Sequence, residues 1–272
     1  MTTIHQALID AAQRVDAHEA RLLLFRFTGF TREFAITHPE SELSDEALQA
    51  YRHAIDQLEA GVPLPYITGV KPFWKNYFKV TPDVLIPRED TETVIDRVLE
   101  IAQERKVGTI LDLGTGSGCI AVTLALELPQ AKVHGVDISP AAVEVARENA
   151  KAFGAGNVDF SVGSWFESVG DRTFDCIVSN PPYIHPEDKH LENLTHEPIN
   201  ALTDGVDGMS CIRAIVHDAE AHLTPGGWIV FEHGYDQGEA VRSLLECSGY
   251  EDVQTLRDFG MNERVTSGRK PL

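Results

Sequence analysis

Between residues 108 and 248 the chain alternates short apolar runs with helical patterns, and this alternation limits the possible folds more than any other feature of the sequence. Thr109 to Leu113 reads as a strand and Ala121 to Leu128 as a helix. Val133 to Asp137 is the second strand, after which Ser139-Pro140, an N-cap and a first-turn proline, opens a helix to about Phe153. Val158 to Val162 is a third strand and Phe174 to Ser179 a fourth, followed by a long loop from Ile184 to about Asp207. A helix from Ile212 to Leu223, a strand from Trp228 to Phe231 and a helix from Ala240 to Ser248 continue the rhythm. Val253 to Leu256 and Arg264 to Ser267 read as a closing strand pair. The expected fold is α/β: a doubly wound, mostly parallel, seven-stranded sheet of Rossmann-like type.

The first 62 residues follow a different pattern. Asp16-Ala17-His18-Glu19 has the spacing of a capping box, and Leu48, Tyr51, Ile55 and Leu58 recur at helical intervals after Ser44 until Gly61 and Pro63 stop the run. Residues 1–62 are therefore expected to form a small helical bundle, which serves either as a docking module for a substrate or as a stabilising appendage. Residues 63–84, rich in aromatics, read as a β-hairpin linker, and residues 85–272 form the main domain. Leu85-Ile86-Pro87-Arg88-Glu89-Asp90-Thr91-Glu92 precedes an amphipathic helix, where it is either a capping segment or a lid over a bound cofactor.

Composition excludes several classes. With 43% hydrophobic residues among 272, a sizeable core is expected, and no apolar run approaches the roughly 18 residues that would cross a bilayer. A formal net charge of -19 argues against a protein that lives on nucleic-acid phosphates. Cys119, Cys176, Cys211 and Cys247 are scattered, with no Cys-x-x-Cys pair, and the N-terminus lacks a basic region followed by an apolar core. Reduced thiols in a cytoplasmic protein follow as the expectation.

Chemistry concentrates at the carboxyl ends of the expected strands, where open α/β sheets bind ligands. Asp112-Leu113-Gly114-Thr115-Gly116-Ser117-Gly118 lies between the first strand and its helix. Its third glycine comes one residue too early for the dinucleotide fingerprint. Acid-x-Gly-x-Gly-x-Gly resembles the pattern of S-adenosylmethionine methyltransferases, in which glycines let the backbone approach the methionine part of the cofactor. Asp137 ends the second strand roughly 20 residues beyond the glycines, where an acid can bind both ribose hydroxyls. Trp165 follows the third strand, in position to cover the adenine.

The fourth strand ends in Asn180-Pro181-Pro182-Tyr183, which resembles the motif of methyltransferases acting on a planar amino or amide nitrogen. Such a nitrogen is a poor nucleophile because its lone pair is delocalised. A site assists by accepting hydrogen bonds from both N–H groups, which orients the nitrogen and favours lone-pair character. The Asn180 side-chain oxygen and the carbonyl of Pro181, whose ring holds the geometry, are the candidate acceptors, and Tyr183 offers a flat face. His185, His190 and His196 with Glu197 match no metal spacing, so exposed loop histidines and no metal are expected. Glu232-His233-Gly234, after the fifth strand, either reaches the substrate or serves structural hydrogen bonding.

Taken together, these residues closely resemble the release factor glutamine methyltransferase family over nearly the whole chain. The resemblance is carried by Leu85 to Glu92, Asp112 to Gly118, Asn180 to Tyr183, Glu197-Pro198, Asp207-Gly208, Glu232 to Gly234, and Asp258-Phe259-Gly260 with Arg264. It implies transfer of a methyl group from S-adenosylmethionine to the amide nitrogen of the glutamine in the Gly-Gly-Gln motif of peptide-chain release factors, with a helical N-terminal domain that helps hold that protein. It also implies that Gly114 to Gly118, Asp137 and Trp165 hold the cofactor, that Asn180 meets both cofactor and substrate, and that Pro181 to Tyr183 position the glutamine. Glu89 stands where many relatives carry proline, a difference confined to the turn before the helix. The alternatives are an adenine-N6 methyltransferase, a glutamine methyltransferase acting on a ribosomal protein, and a non-catalytic cofactor-binding scaffold.

Overall fold

The structure is a computed structural model and describes residues 2–272. The chain divides into two compact units, Met1–Val70 and Lys71–Leu272.

The first unit is helical: α1 (Ile4–Ala12), α2 (Ala17–Thr28), α3 (Arg32–Thr37), α4 (Asp45–Glu59) and α5 (Leu64–Thr68). Its helices begin where side chains satisfy free backbone donors. Thr3 accepts from the Gln6 N–H, Asp16 from His18 and Glu19, and Ser44 from Ala47, each cap being worth about 1 kcal/mol. Ile4, Leu23, Leu24, Tyr51 and Ile55 close the core of this unit. Helix α5 departs from the expected hairpin, because Pro63 (φ -57°) and Pro65 suit a first turn whose N–H groups have no partner anyway, and Gly69 (φ 75°) ends it. The hairpin itself is shorter than expected, formed by β1 (Val70–Phe73) and β2 (Asn76–Lys79).

In the second unit a 3-10 turn at Glu89–Thr91 leads into α6 (Glu92–Glu104). The alternating segment then runs β3 (Thr109–Leu113), α7 (Cys119–Glu127), β4 (Lys132–Asp137), α8 (Pro140–Phe153), β5 (Val158–Val162) and β6 (Phe174–Ser179). After the long loop come α9 (Ser210–His222), β7 (Leu223–Glu232), α10 (Gly238–Cys247), β8 (Glu251–Arg257) and β9 (Glu263–Arg269). The seven strands lie in the order β5-β4-β3-β6-β7-β9-β8; β9 alone runs antiparallel to the other six. The doubly wound, mostly parallel sheet expected from the sequence is the observed one.

Period-two alternation distributes the strand residues between two cores. Ile110, Val178 and Val230 pack with α6 and α7, whereas Leu111, Ile177 and Ile229 pack with α9 and α10. The chain leaves β3 toward β4 and β5, then returns to pair β6 on the other side of β3. The strand order therefore reverses between β3 and β6, and a crevice opens beyond their carboxyl ends. Leu113 lies opposite both Val136 and Ser179 in the ladder, so Gly114, Asp137 and Asn180 emerge side by side.

Candidate active site

The glycine loop is anchored from beneath. Asp112 is fully buried on the α7 side of the sheet, where it accepts bonds from the Thr115 hydroxyl (2.7 Å) and the Ala121 N–H (3.2 Å). Burial pushes its carboxyl up to about 7 against the pull of those two bonds, and its Oδ1 has no hydrogen-bond partner. Gly114 and Thr115 donate their N–H groups to the Val136 carbonyl, which closes the turn on β4. Gly114, Gly116 and Gly118 adopt φ of 76°, 54° and 79°, a region costly for other residues. At Gly118 a side chain would also come within 3.0 Å of Ala146 on α8.

Asp137 joins this loop to the next. One carboxylate oxygen accepts the Gly116 N–H at 2.8 Å and the other the Ser139 N–H at 2.9 Å. A carboxylate has about four lone-pair sites, so both oxygens retain acceptor capacity. Trp165 crosses the same opening with its ring edge near Gly114 and its backbone at φ 44°, a strained conformation for a side chain of this size.

On the far side stands the end of β6. Asn180 donates its side-chain N–H to the Thr91 hydroxyl at 3.3 Å. Pro181 is buried, and the Tyr183 hydroxyl donates to Glu232 at 3.1 Å while its backbone carbonyl accepts from Gln237. Glu232 is almost wholly buried, and desolvation raises its carboxyl to about 7, opposed by Thr91, Arg264 and Tyr183.

These elements enclose a cavity of about 340 Å³, lined among others by Gly114, Gly116, Asp137, Trp165, Asn180 and Pro182. Of the remaining sequence candidates, Asp112, Thr115 and Ser117 are buried, Gly118 caps α7, and Pro181 and Tyr183 flank the cavity without lining it. The open glycine backbone, the spare acceptors of Asp137 and the Trp165 ring suit a ligand with an amino-acid part, a ribose and a flat base.

Four contributors carried no definite site role in the sequence. Glu197, read there with the loop histidines, is buried, accepts the Ile86 N–H at 3.0 Å and pairs with Arg88, whereas His185, His190 and His196 are exposed. Thr91 and Glu232 join the Asn180 and Tyr183 side chains. Asp204, which also lines the cavity, fixes the turn before α9 by accepting from the Val206, Gly208 and Ser210 N–H groups and the Ser210 hydroxyl; burial opposes its charge, but these bonds win and hold its carboxyl down at about 2. His233 is a structural group: its ring bonds the Gly234 carbonyl (2.8 Å) and Thr266 (2.7 Å), and burial lowers its pKa.

Comparison with known proteins agrees with this architecture. Residues 2–69 match the PrmC N-terminal domain, and residues 93–206 the Methyltransferase small domain. The chain is 41% identical over 266 residues to the release factor glutamine methyltransferase of Xylella fastidiosa, covering 97% of each. It is 45% identical over 255 residues to that of Neisseria gonorrhoeae, covering 92% of each. Among solved structures, a T. thermophilus ribosomal RNA methyltransferase in complex with AdoMet and guanosine superposes with a TM-score of 0.53 at 22% identity, covering 74% of this chain and 49% of that one. No helix among the described residues is long and apolar enough to cross a membrane. The chain belongs to the release factor glutamine methyltransferase family, whose methyl donor is S-adenosylmethionine.

Proposed function

We propose that the protein methylates the side-chain amide nitrogen (N5) of the glutamine in the Gly-Gly-Gln motif of peptide-chain release factors. The observation that carries this reading is the orientation of Asn180: its N–H is committed to Thr91, which leaves Oδ1 as an acceptor at the cavity wall. An amide nitrogen needs acceptors rather than a base strong enough to ionise it, and Asn180 Oδ1 with the Pro181 carbonyl supplies two. The loop from Gly114 to Gly118, Asp137 and Trp165 hold the donor, with Asp112 anchoring the loop from below. When bound, the cofactor supplies an electrophilic methyl group and a neutral thioether leaving group. The residues around it then position the glutamine nitrogen in line and exclude water. No covalent enzyme intermediate is required. The helical unit is the docking module for the release factor, and the reaction takes place in the cytoplasm, where translation factors work.

Labelled methyl transfer from S-adenosylmethionine to a purified release factor tests this reading. The controls are the same factor with its Gly-Gly-Gln glutamine replaced, and duplex DNA. Label on the intact factor alone is the expected result. Label on DNA, or equal label on the glutamine-replaced factor, overturns it.

A further inference from the structure

The outer face of α6 borders a second cavity, of about 400 Å³, that the methyl-transfer site does not use. Its walls include Trp74 from the β1–β2 hairpin, Asp96, Leu99 and Glu100 from α6, and Leu256 and Phe259 from β8 and the turn after it. The opposite face of α6, with Val94, Ile95, Val98 and Ile101, is buried in the core, while Leu99 is only partly covered. The walls are held stiffly. Trp74 takes φ 55°, costly for a side chain of this size. It is pinned by its backbone N–H on Glu92 (2.6 Å) and its indole N–H on Glu127 (2.9 Å). Phe259 projects from a turn closed by two bonds of 2.9 Å, from the Asp258 N–H to the Asn262 carbonyl and from the Asn262 N–H to the Asp258 carboxylate. It is 81% exposed, and Met261 on the same turn is 68% exposed. Single exposed apolar residues are ordinary, but a fixed pair beside an aromatic-walled cavity marks a contact surface.

Charge decides what such a groove takes. Asp96 is half-buried and, among the described residues, forms no hydrogen bond or ion pair; burial and the neighbouring Glu100 both raise its pKa. The cations nearby are engaged elsewhere: Arg97 is buried against Ser267 and Glu100, Arg257 donates to the Met261 carbonyl, and Lys75 pairs with Glu127. An unbalanced carboxylate beside aromatic and aliphatic walls suits a lysine or arginine, whose stem lies along the apolar surface while its head meets the carboxylates.

The groove also begins beside the active site. Asp258 accepts from Arg264, and Arg264 pairs with Asp90, the residue before Thr91, whose hydroxyl holds Asn180. At about 1.5 Å per helical residue, Asp96 lies about 8 Å and Gln103 about 18 Å along α6 from Thr91, a span of about two to six residues of extended chain. The target loop, Gly-Gly-Gln, offers two residues without side chains, so recognition of the protein around it must come from neighbouring segments. We propose that this groove docks the release factor itself: it takes a lysine or arginine near the Gly-Gly-Gln loop, with Trp74 and Phe259 against the stem and Asp96 and Glu100 against the charge. The inference rests on the function proposed above.

Steady-state transfer to an intact release factor by the full-length enzyme tests this, with cofactor Kd and thermal melting measured alongside. Phe259→Ala and Asp96→Asn are each expected to raise KM for the factor about 10-fold, with kcat and cofactor Kd unchanged, the pattern of binding lost away from the chemistry. Asp96→Lys should raise KM further. One charge-reversed factor, with a lysine or arginine near the glutamine replaced by glutamate, should recover most of that loss. Failure of every such factor to rescue Asp96→Lys overturns the choice of a basic side chain. A fall in kcat or a weaker cofactor Kd with KM unchanged overturns docking and makes the groove a support of the active site. A wild-type enzyme that transfers nothing to the release factor overturns the functional reading and this proposal together, whereas an active wild type with wild-type KM in Phe259→Ala and Asp96→Asn overturns this proposal alone.

Discussion

Glu197 Oε2 accepts the backbone N–H of Ile86 at 3.0 Å, joining segments 111 residues apart. The other oxygen of the same carboxylate pairs with Arg88. Both segments border the cavity, one through Leu85 and the other through Pro198, so a single buried carboxylate sets the distance between two of its walls. The stretch just before Pro87-Arg88, Asp83 to Leu85, lines the cavity and is clasped from the loop opposite, whereas Pro87 and Arg88 do not line it.

Removing the clasp leaves a buried N–H without a partner. Glu197→Ala is expected to lower stability by about 1–3 kcal/mol, since Arg88 is partly exposed and can turn to water. It should also weaken S-adenosylmethionine binding, because the wall is then free to move. Glu197→Gln, which keeps one acceptor for Ile86, should lose less of both. Thermal melting and calorimetric titration of the three proteins check the order.

Asn180 sits where a loss of catalysis can be separated from a loss of fold. It is only partly buried, so Asn180→Ala should melt close to wild type. Removing one preorganised acceptor should reduce kcat by roughly 100- to 1,000-fold. Asn180→Asp keeps an acceptor but loses the N–H held by Thr91, and single-turnover transfer should rank wild type above Asp and Asp above or equal to Ala. Transfer by Asn180→Ala at the wild-type rate would remove the proposed mechanism.

Asp112 makes a prediction about pH. Burial raises its folded-state pKa from 3.8 to about 7, so between those values the folded chain holds a proton that the unfolded chain has released. The stability this proton contributes is complete below about pH 4 and is lost as pH rises through 7, with a slope of up to about 1.4 kcal/mol per pH unit. His233, buried and neutral, acts in the opposite sense below its ordinary value. The difference between proteins is therefore the useful measurement. Wild type should lose stability relative to Asp112→Asn as pH is raised from 5 to 8 in denaturant titrations without cofactor. Parallel stability curves would place the Asp112 proton elsewhere.

Much of this architecture was legible in the sequence because it is local. The N-cap and proline of Ser139-Pro140 start α8 where expected, and the apolar run before Asn180 is a buried strand that the two prolines stop. Gly114, Asp137 and Asn180 could be grouped because strand-end residues of neighbouring parallel strands must emerge together. Thr91, Glu197 and Glu232 were not grouped with them, since their partners lie 49 to 111 residues away and only the folded sheet and loop bring them near. Helix α5 was read as extended chain because five residues are too few to display a helical period, and Leu64, Tyr66 and Ile67 among prolines resemble an edge strand. The strained backbone of Trp165 has no sequence signature at all.

Asp137 provides the most direct test of the cofactor site. Its two oxygens accept N–H groups from Gly116 and Ser139, so the side chain must present an acceptor on both sides. In Asp137→Asn one of those N–H groups faces an NH2 group instead, and the glycine loop loses one of its two ties to β4 and the turn that follows. The charge that would meet ribose hydroxyls is lost as well. Cofactor Kd is expected to rise on the order of 10- to 100-fold, equivalent to about 1.4–2.7 kcal/mol. Asp137→Glu should not restore binding, because the longer stem moves the carboxylate away from both backbone donors. Calorimetric titration with S-adenosylmethionine and its demethylated product measures this directly. Wild-type affinity in Asp137→Asn would mean that the loop, and not this carboxylate, sets the cofactor's position.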